Sequence, residues 1–197
     1  MSTRLWTLPN ALGLARIAAT PVVVALLLLP FPGAGLIAFV VYVLAATTDY
    51  FDGRIARARG NVTTLGVFLD LTADKVLVAG VLIAMVEVGL LPTWIVATLL
   101  ARELIVQGMR QLAAVGSVVI AARGVGKWKA FSTNVAIAVL LLAFDARTGG
   151  PMGQLLPAGT IQAIGFWLAI LATVLALGSA LLYLRAALPI LTGRERS

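Results

Sequence analysis

The chain contains no cysteine and no histidine. Without cysteine there is no disulfide and no thiol chemistry, and the redox compartment cannot be read. Without histidine the usual general base and the usual zinc ligand are gone, so acid–base work falls to carboxylates, lysine or tyrosine. Charge is scarce as well. Only 12% of the 197 residues are charged, against roughly a quarter in a soluble domain. What fills the gap is apolar: 61% of residues are hydrophobic and the mean hydropathy is +1.04. That balance excludes an ordinary soluble domain and fits an all-α integral membrane protein.

Six stretches approach or exceed the length of about 20 apolar residues needed to cross a bilayer. They lie near Ala18–Leu29, Gly35–Ala56, Val67–Gly89, Pro92–Ala113, Trp128–Phe144 and Ile161–Leu184. The first is short, and the mixed segment Arg4–Arg16 before it has the composition of a helix lying in the headgroup plane, with Trp6 as an anchor. The expected architecture is six transmembrane helices plus this N-terminal interfacial helix, in one domain over residues 1–197. No cleavable leader is expected, because Met1–Asn10 is polar and aromatic.

The net charge of +7 is unevenly placed. With the N-terminus cytoplasmic, all 15 basic residues except Arg147 fall on the cytoplasmic side, as the positive-inside rule requires. Nucleic-acid binding fits poorly, since these residues sit in short loops between spans. The composition leaves contact with anionic headgroups as the ordinary use of the charge.

Of eight acidic residues, four fall within 26 positions in or beside apolar helices: Asp49, Asp52, Asp70 and Asp74. At 3.6 residues per turn, positions 49, 52, 53, 56 and 57 share one face of the second helix, and 66, 70 and 74 form one stripe on the third. Each ionised aspartate in the hydrocarbon region costs roughly 2.5–3.5 kcal/mol, and clustered carboxylates raise one another's pKa values. Divalent cations remove both penalties, and all-oxygen ligation favours Mg²⁺, Mn²⁺ or Ca²⁺ over zinc. Two adjacent ions clamp a pyrophosphate and stabilise charge during phosphoryl displacement. Gly53, Ala56 and Gly66 leave room beside the acids, and Arg57, one turn on, is placed to meet a phosphate oxygen. The plain alternative is that the acids only pair with Arg54, Arg57, Arg59 and Lys75.

The segment Asp49-x2-Asp52-Gly53-x2-Ala56-Arg57-x8-Gly66-x3-Asp70-x3-Asp74 resembles, at each of eight fixed positions, the signature of the CDP-alcohol phosphotransferase family. The resemblance implies six transmembrane helices, a CDP-diacylglycerol-like donor, release of CMP, two divalent ions and a homodimer. It implies that Asp49 and Asp70 bridge two metals (Mg²⁺ or Mn²⁺), that Asp52 completes one site and that Asp74 completes the other. Asp74 is then also the base that deprotonates the acceptor hydroxyl. Gly53 and Ala56 make space for the cytidine, Arg57 holds the diphosphate, and Thr63 adds a nucleotide contact.

Within that family the chain is similar, over most of residues 7–140, to bacterial phosphatidylglycerophosphate synthases. Pro9-Asn10, Ala101-Arg102-Glu103, Met109-Arg110 and Gly126-Lys127-Trp128-Lys129 carry the likeness. It implies glycerol 3-phosphate as acceptor, with Arg110, Lys127 and Lys129 around its phosphate and Pro9 and Asn10 beside the CDP-lipid. Gly13, Ala130 and Thr133 depart from residues often found there. Phosphatidylglycerol, giving cardiolipin, and inositol phosphate stay open as acceptors. Intramembrane prenyl transfer and divalent-cation transport are the rivals from other classes. Transport expects acids spread across the membrane depth, whereas these cluster at one side. The site is expected at the cytoplasmic face of a bacterial inner membrane, and Glu87 and Asp145 are left without a role.

Overall fold

A backbone that cannot hydrogen-bond to water must satisfy itself, and in an apolar chain without a closed barrel that means helices. The computed structural model describes residues 8–59, 64–115 and 125–191, excluding the side chains of 8–9, 49–59, 64, 67, 70, 113–115, 125–127 and 186–191. These residues form α1 (Leu8–Leu28), α2 (Ala34–Arg59), α3 (Thr64–Glu87), α4 (Thr93–Val115), α5 (Val125–Arg147), the one-turn α6 (Met152–Leu155) and α7 (Ala158–Leu191). No strand occurs among them. The stretches Asn10–Leu28, Trp128–Arg147 and Ala158–Arg185 are long and apolar enough to cross a membrane, and Ala34–Thr48 is a shorter apolar run.

Leu8–Leu28 is one unbroken helix with Pro21 inside it, so residues 8–16 run on into the first span. Asn10 and Arg16 are each only 1% exposed, so the polar residues of this segment are buried in the protein. The part of the expected interfacial helix before residue 8 lies outside the described residues.

Among the described residues, α1 packs along both α2 and α3, which touch each other little. Helix α5 packs along α7 and α2, and α4 rests mainly on α7. The core runs through Tyr42, Leu77, Met85, Ile95, Ile137, Leu140 and Phe144, all essentially fully buried. Outside, Leu104, Ile105, Trp167, Val174 and Leu181 are exposed, a pattern a bilayer solvates and water does not.

At the far end of α5, Asp145 is wholly buried. One carboxylate oxygen accepts the Leu36 N–H at 3.0 Å and the other accepts the Met152 N–H at 3.0 Å. Both donors belong to helix N-termini, which have no intrahelical acceptor for their first amides. This is the role the sequence left open for Asp145. Arg147 completes that end by donating to the Val88 carbonyl at 2.6 Å, tying α5 to the turn after α3.

The contact is close enough to forbid a side chain opposite. A Cβ on Gly35 would lie 2.3 Å from the Asp145 amide nitrogen. Gly35→Ala is therefore expected to destabilise the fold by at least about 2 kcal/mol through overpacking against backbone. Thermal unfolding in detergent checks it, and an unchanged midpoint would refute this packing.

Candidate active site

Three helices line one cavity, each with a single stripe. Helix α3 contributes positions 74, 75, 78, 79 and 82, α4 contributes 99, 100, 103, 104 and 107, and α5 contributes 129, 130, 133 and 134. Steps of three and four residues keep each set on one face of its helix. The space exists because α3 packs only weakly on α4 and α5. Its volume is about 270 Å³, close to the lower bound of roughly 300 Å³ for small-molecule sites.

Apolar Val78, Leu82 and Leu99 stand on the walls beside the polar Asp74, Lys75, Glu103, Gln107, Lys129 and Asn134. Glu103 Oε2 accepts from Lys129 Nζ at 2.5 Å and from Arg102 Nη1 at 3.0 Å. Tyr42, 1% exposed, donates its hydroxyl to Asn134 Oδ1 at 2.7 Å. It also lies within electrostatic reach of Asp74. The helical faces thus bring a carboxylate from α3 and an ammonium from α5 to one small space. In a low-dielectric cavity, both act far more strongly than in water.

Of the residues singled out in the sequence, Asp74 and Lys129 share this cavity. Arg110 does not line it. Its guanidinium sits 4.9 Å from the centre of the Tyr183 ring and donates to that hydroxyl, which places it on α7. Asn10 is buried on α1 and Gly66 is half-buried on the first turns of α3. Positions 49, 52, 53, 56 and 57 lie within helical α2 and position 70 within α3. The side chains of Asp49, Asp52, Ala56, Arg57 and Asp70, with Gly53, lie outside the described residues, as do those of Pro9 and Lys127 and the whole of Thr63. Among the described residues, no three His, Cys, Asp or Glu side chains come together.

Sequence reasoning passed over Tyr42, Gln107, Asn134 and Arg16. Buried Arg16 donates from Nε to the Ala45 carbonyl at 3.1 Å, one turn before Asp49. The Thr48 hydroxyl donates to the same carbonyl at 2.7 Å. An arginine inside an apolar run is a functional signal in its own right, and it was available. Tyr42 and Asn134 gave no such signal, because a single polar residue on an apolar helix shows neither its facing helix nor its partner.

Comparison with known proteins agrees in one direction. A family model for CDP-alcohol phosphatidyltransferase matches residues 6–178. A CDP-diacylglycerol–glycerol-3-phosphate 3-phosphatidyltransferase of Bacillus subtilis is 38% identical over 150 residues, covering 70% of this chain and 78% of that one. One of Salmonella choleraesuis is 34% identical over 187 residues, covering 92% and 95%. A probable phosphatidylglycerophosphate synthase of Mycobacterium tuberculosis is 39% identical over 145 residues, covering 71% and 68%.

Proposed function

The chain belongs to the CDP-alcohol phosphatidyltransferase family, and we propose that it transfers the phosphatidyl group of CDP-diacylglycerol to glycerol 3-phosphate. The observation that carries the acceptor half is the shared cavity. Asp74 on one wall can take the proton of an attacking hydroxyl, and Lys129 on another can meet a phosphate. The acceptor oxygen bonds to the phosphatidyl phosphorus, the bond from that phosphorus to the CMP oxygen breaks, and the hydroxyl proton goes to Asp74. The products are CMP and phosphatidylglycerophosphate. With no histidine in the chain, a carboxylate at the cavity wall is the natural base.

The donor half rests on α2 and α3. Asp49, Asp52, Asp70 and Asp74 are an all-oxygen donor set on continuous helical turns, and a hard divalent cation such as Mg²⁺ or Mn²⁺ fits it. When bound, two such ions neutralise the diphosphate and the charge that builds on the departing CMP. Gly53, Ala56, Arg57, Thr63 and Gly66, with Pro9 and Asn10 of α1, would surround the CDP-lipid. Lys127, two residues before Lys129, would add charge for the acceptor phosphate, and Arg110 would join it only by leaving Tyr183. Glu103, read from the sequence only as a partner for Arg102 or a neighbouring helix, enters this site because it also grips Lys129.

As a multi-pass membrane protein, the chain is read as crossing six times, through α1–α5 and α7. Helices α2, α3 and α4 have 26, 24 and 23 residues, enough at 1.5 Å per residue for about 30 Å of hydrocarbon. Helix α4 carries Arg102, Glu103 and Arg110, which lower its hydropathy but turn toward α5 and α7. Both ends and the site are placed on the cytoplasmic side of a bacterial inner membrane, in a homodimer.

Removal of divalent ions tests the donor half. Chelation with EDTA is expected to stop CMP release from CDP-diacylglycerol, and Mg²⁺ or Mn²⁺ to restore it. Undiminished release in the chelator would remove the metals from the account.

A further inference from the structure

We infer that Glu103 is a positioning residue: it holds the Lys129 ammonium over the cavity that contains Asp74, and α7 holds Glu103 through Arg102. This rests on the reading of Lys129 as the group that meets the acceptor phosphate. Helix α7 carries none of the signature aspartates, yet a chain of contacts links it to the cavity. Ser179 Oγ accepts from Arg102 Nη2 at 2.6 Å, and the Ala176 carbonyl accepts from Arg102 Nε at 3.2 Å. Arg102 Nη1 then donates to Glu103 Oε2 at 3.0 Å, and Lys129 Nζ donates to the same oxygen at 2.5 Å. Arg102 is 7% exposed and Lys129 14%, while Glu103 between them is 32% exposed where it borders the cavity, so the two cations are largely shielded from water and the carboxylate less so.

Two physical needs are met at once. A lysine stem has four rotatable bonds, and beside a membrane interface it tends to snorkel its charge outward to water. A carboxylate fixed at the ammonium removes that freedom before the substrate arrives, so the ordering cost is not charged to binding. The carboxylate alone would cancel the lysine. Arg102 prevents this: two cations share one carboxylate, leaving the triad with one net positive charge for an arriving phosphate. Arg102 is itself too buried to reach a substrate in the cavity, and its three contacts on two helices leave it the anchor. The same contacts explain why α4, with its charged middle, packs on α7.

Steady-state kinetics of the purified full chain in detergent, with CDP-diacylglycerol and glycerol 3-phosphate both varied, separate this from a scaffold role. Glu103→Gln keeps size and polarity but drops the charge. It is expected to raise KM for glycerol 3-phosphate about tenfold while kcat and KM for CDP-diacylglycerol stay within about threefold, because only ground-state acceptor binding is touched. Ser179→Ala, which loosens the outer anchor, is expected to move the same constant in the same direction by about two- to threefold. Added to Lys129→Ala, the Glu103→Gln change should do nothing more, since it acts through the lysine.

An equal loss on both substrates, a fall in kcat alone, or full additivity with Lys129→Ala would overturn the inference. If Glu103→Gln does not fold, the Ser179→Ala constants decide, and an unchanged KM for glycerol 3-phosphate counts against it. Wild-type protein that releases no CMP with glycerol 3-phosphate would overturn the functional reading, and this inference with it. An active wild type with unaltered variants overturns the inference alone.

Discussion

Replacing Asp74 with asparagine is expected to lower CMP release from CDP-diacylglycerol by at least about a thousandfold, within the range that loss of a positioned base produces. Asparagine has nearly the same shape, so the helical stripe and the cavity wall persist. What disappears is the negative charge and the ability to take a proton. No histidine exists to substitute. The other carboxylate described on the cavity, Glu103, is already committed to Lys129 and Arg102. Asp74 also stands in the oxygen donor set, so the variant is expected to lose metal affinity together with turnover. Folding should be unaffected, and size-exclusion behaviour and thermal midpoint in detergent check that. Turnover retained within tenfold of wild type would show that the proton goes elsewhere.

The second large effect is on stability and lies at the other end of α5. Asp145→Ala leaves two part-buried helix N-terminal amides, those of Leu36 and Met152, without their acceptor. A fully buried orphaned donor costs about 1–3 kcal/mol, so this part-buried pair should cost about 2–4 kcal/mol. That is a large part of a typical folding free energy. Asp145→Asn keeps one good acceptor oxygen and is expected to lose about half as much. Thermal unfolding in detergent reads both variants. Protein that remains folded should turn over CDP-diacylglycerol at the wild-type rate, because Asp145 lies about 24 Å along α5 from Lys129. A lowered rate with an unchanged midpoint would mean that this end of the bundle takes part in the chemistry.

These two residues also mark where the sequence was readable. Asp74 could be found because its neighbours recur at fixed helical steps, and four acids in an apolar context need an explanation that only a bound cation supplies readily. The long helices were equally plain, since apolar length alone decides them. Asp145 could not be placed, because capping helix amides 109 and seven residues away in sequence depends on tertiary contact. The burial of Asn10 and Arg16 was hidden for a related reason. A mix of leucine, asparagine and arginine reads as interfacial, and nothing local shows that both side chains are buried.

The acceptor site shows the same boundary. Lys129 was identified as a basic residue near a helix end, and the structure puts it on the cavity beside Asp74. Arg110 had the same local signal, but its side chain runs to Tyr183 on α7 and not to the cavity. One turn of α4 separates Arg110 from Gln107, which does line the cavity. Hydropathy and charge count do not tell which of two residues one turn apart reaches the cavity and which reaches a neighbouring helix. Only the packing of α4 on α7 does.

The most direct test of the account is an acceptor panel. Purified protein with Mg²⁺ and CDP-diacylglycerol is offered glycerol 3-phosphate, phosphatidylglycerol, inositol phosphate or serine, and the lipid products are read by mass with CMP counted alongside. The account predicts phosphatidylglycerophosphate and CMP in equal amounts with glycerol 3-phosphate, and little product with the others. Cardiolipin formed from phosphatidylglycerol in preference, or no CMP with any alcohol, would contradict it.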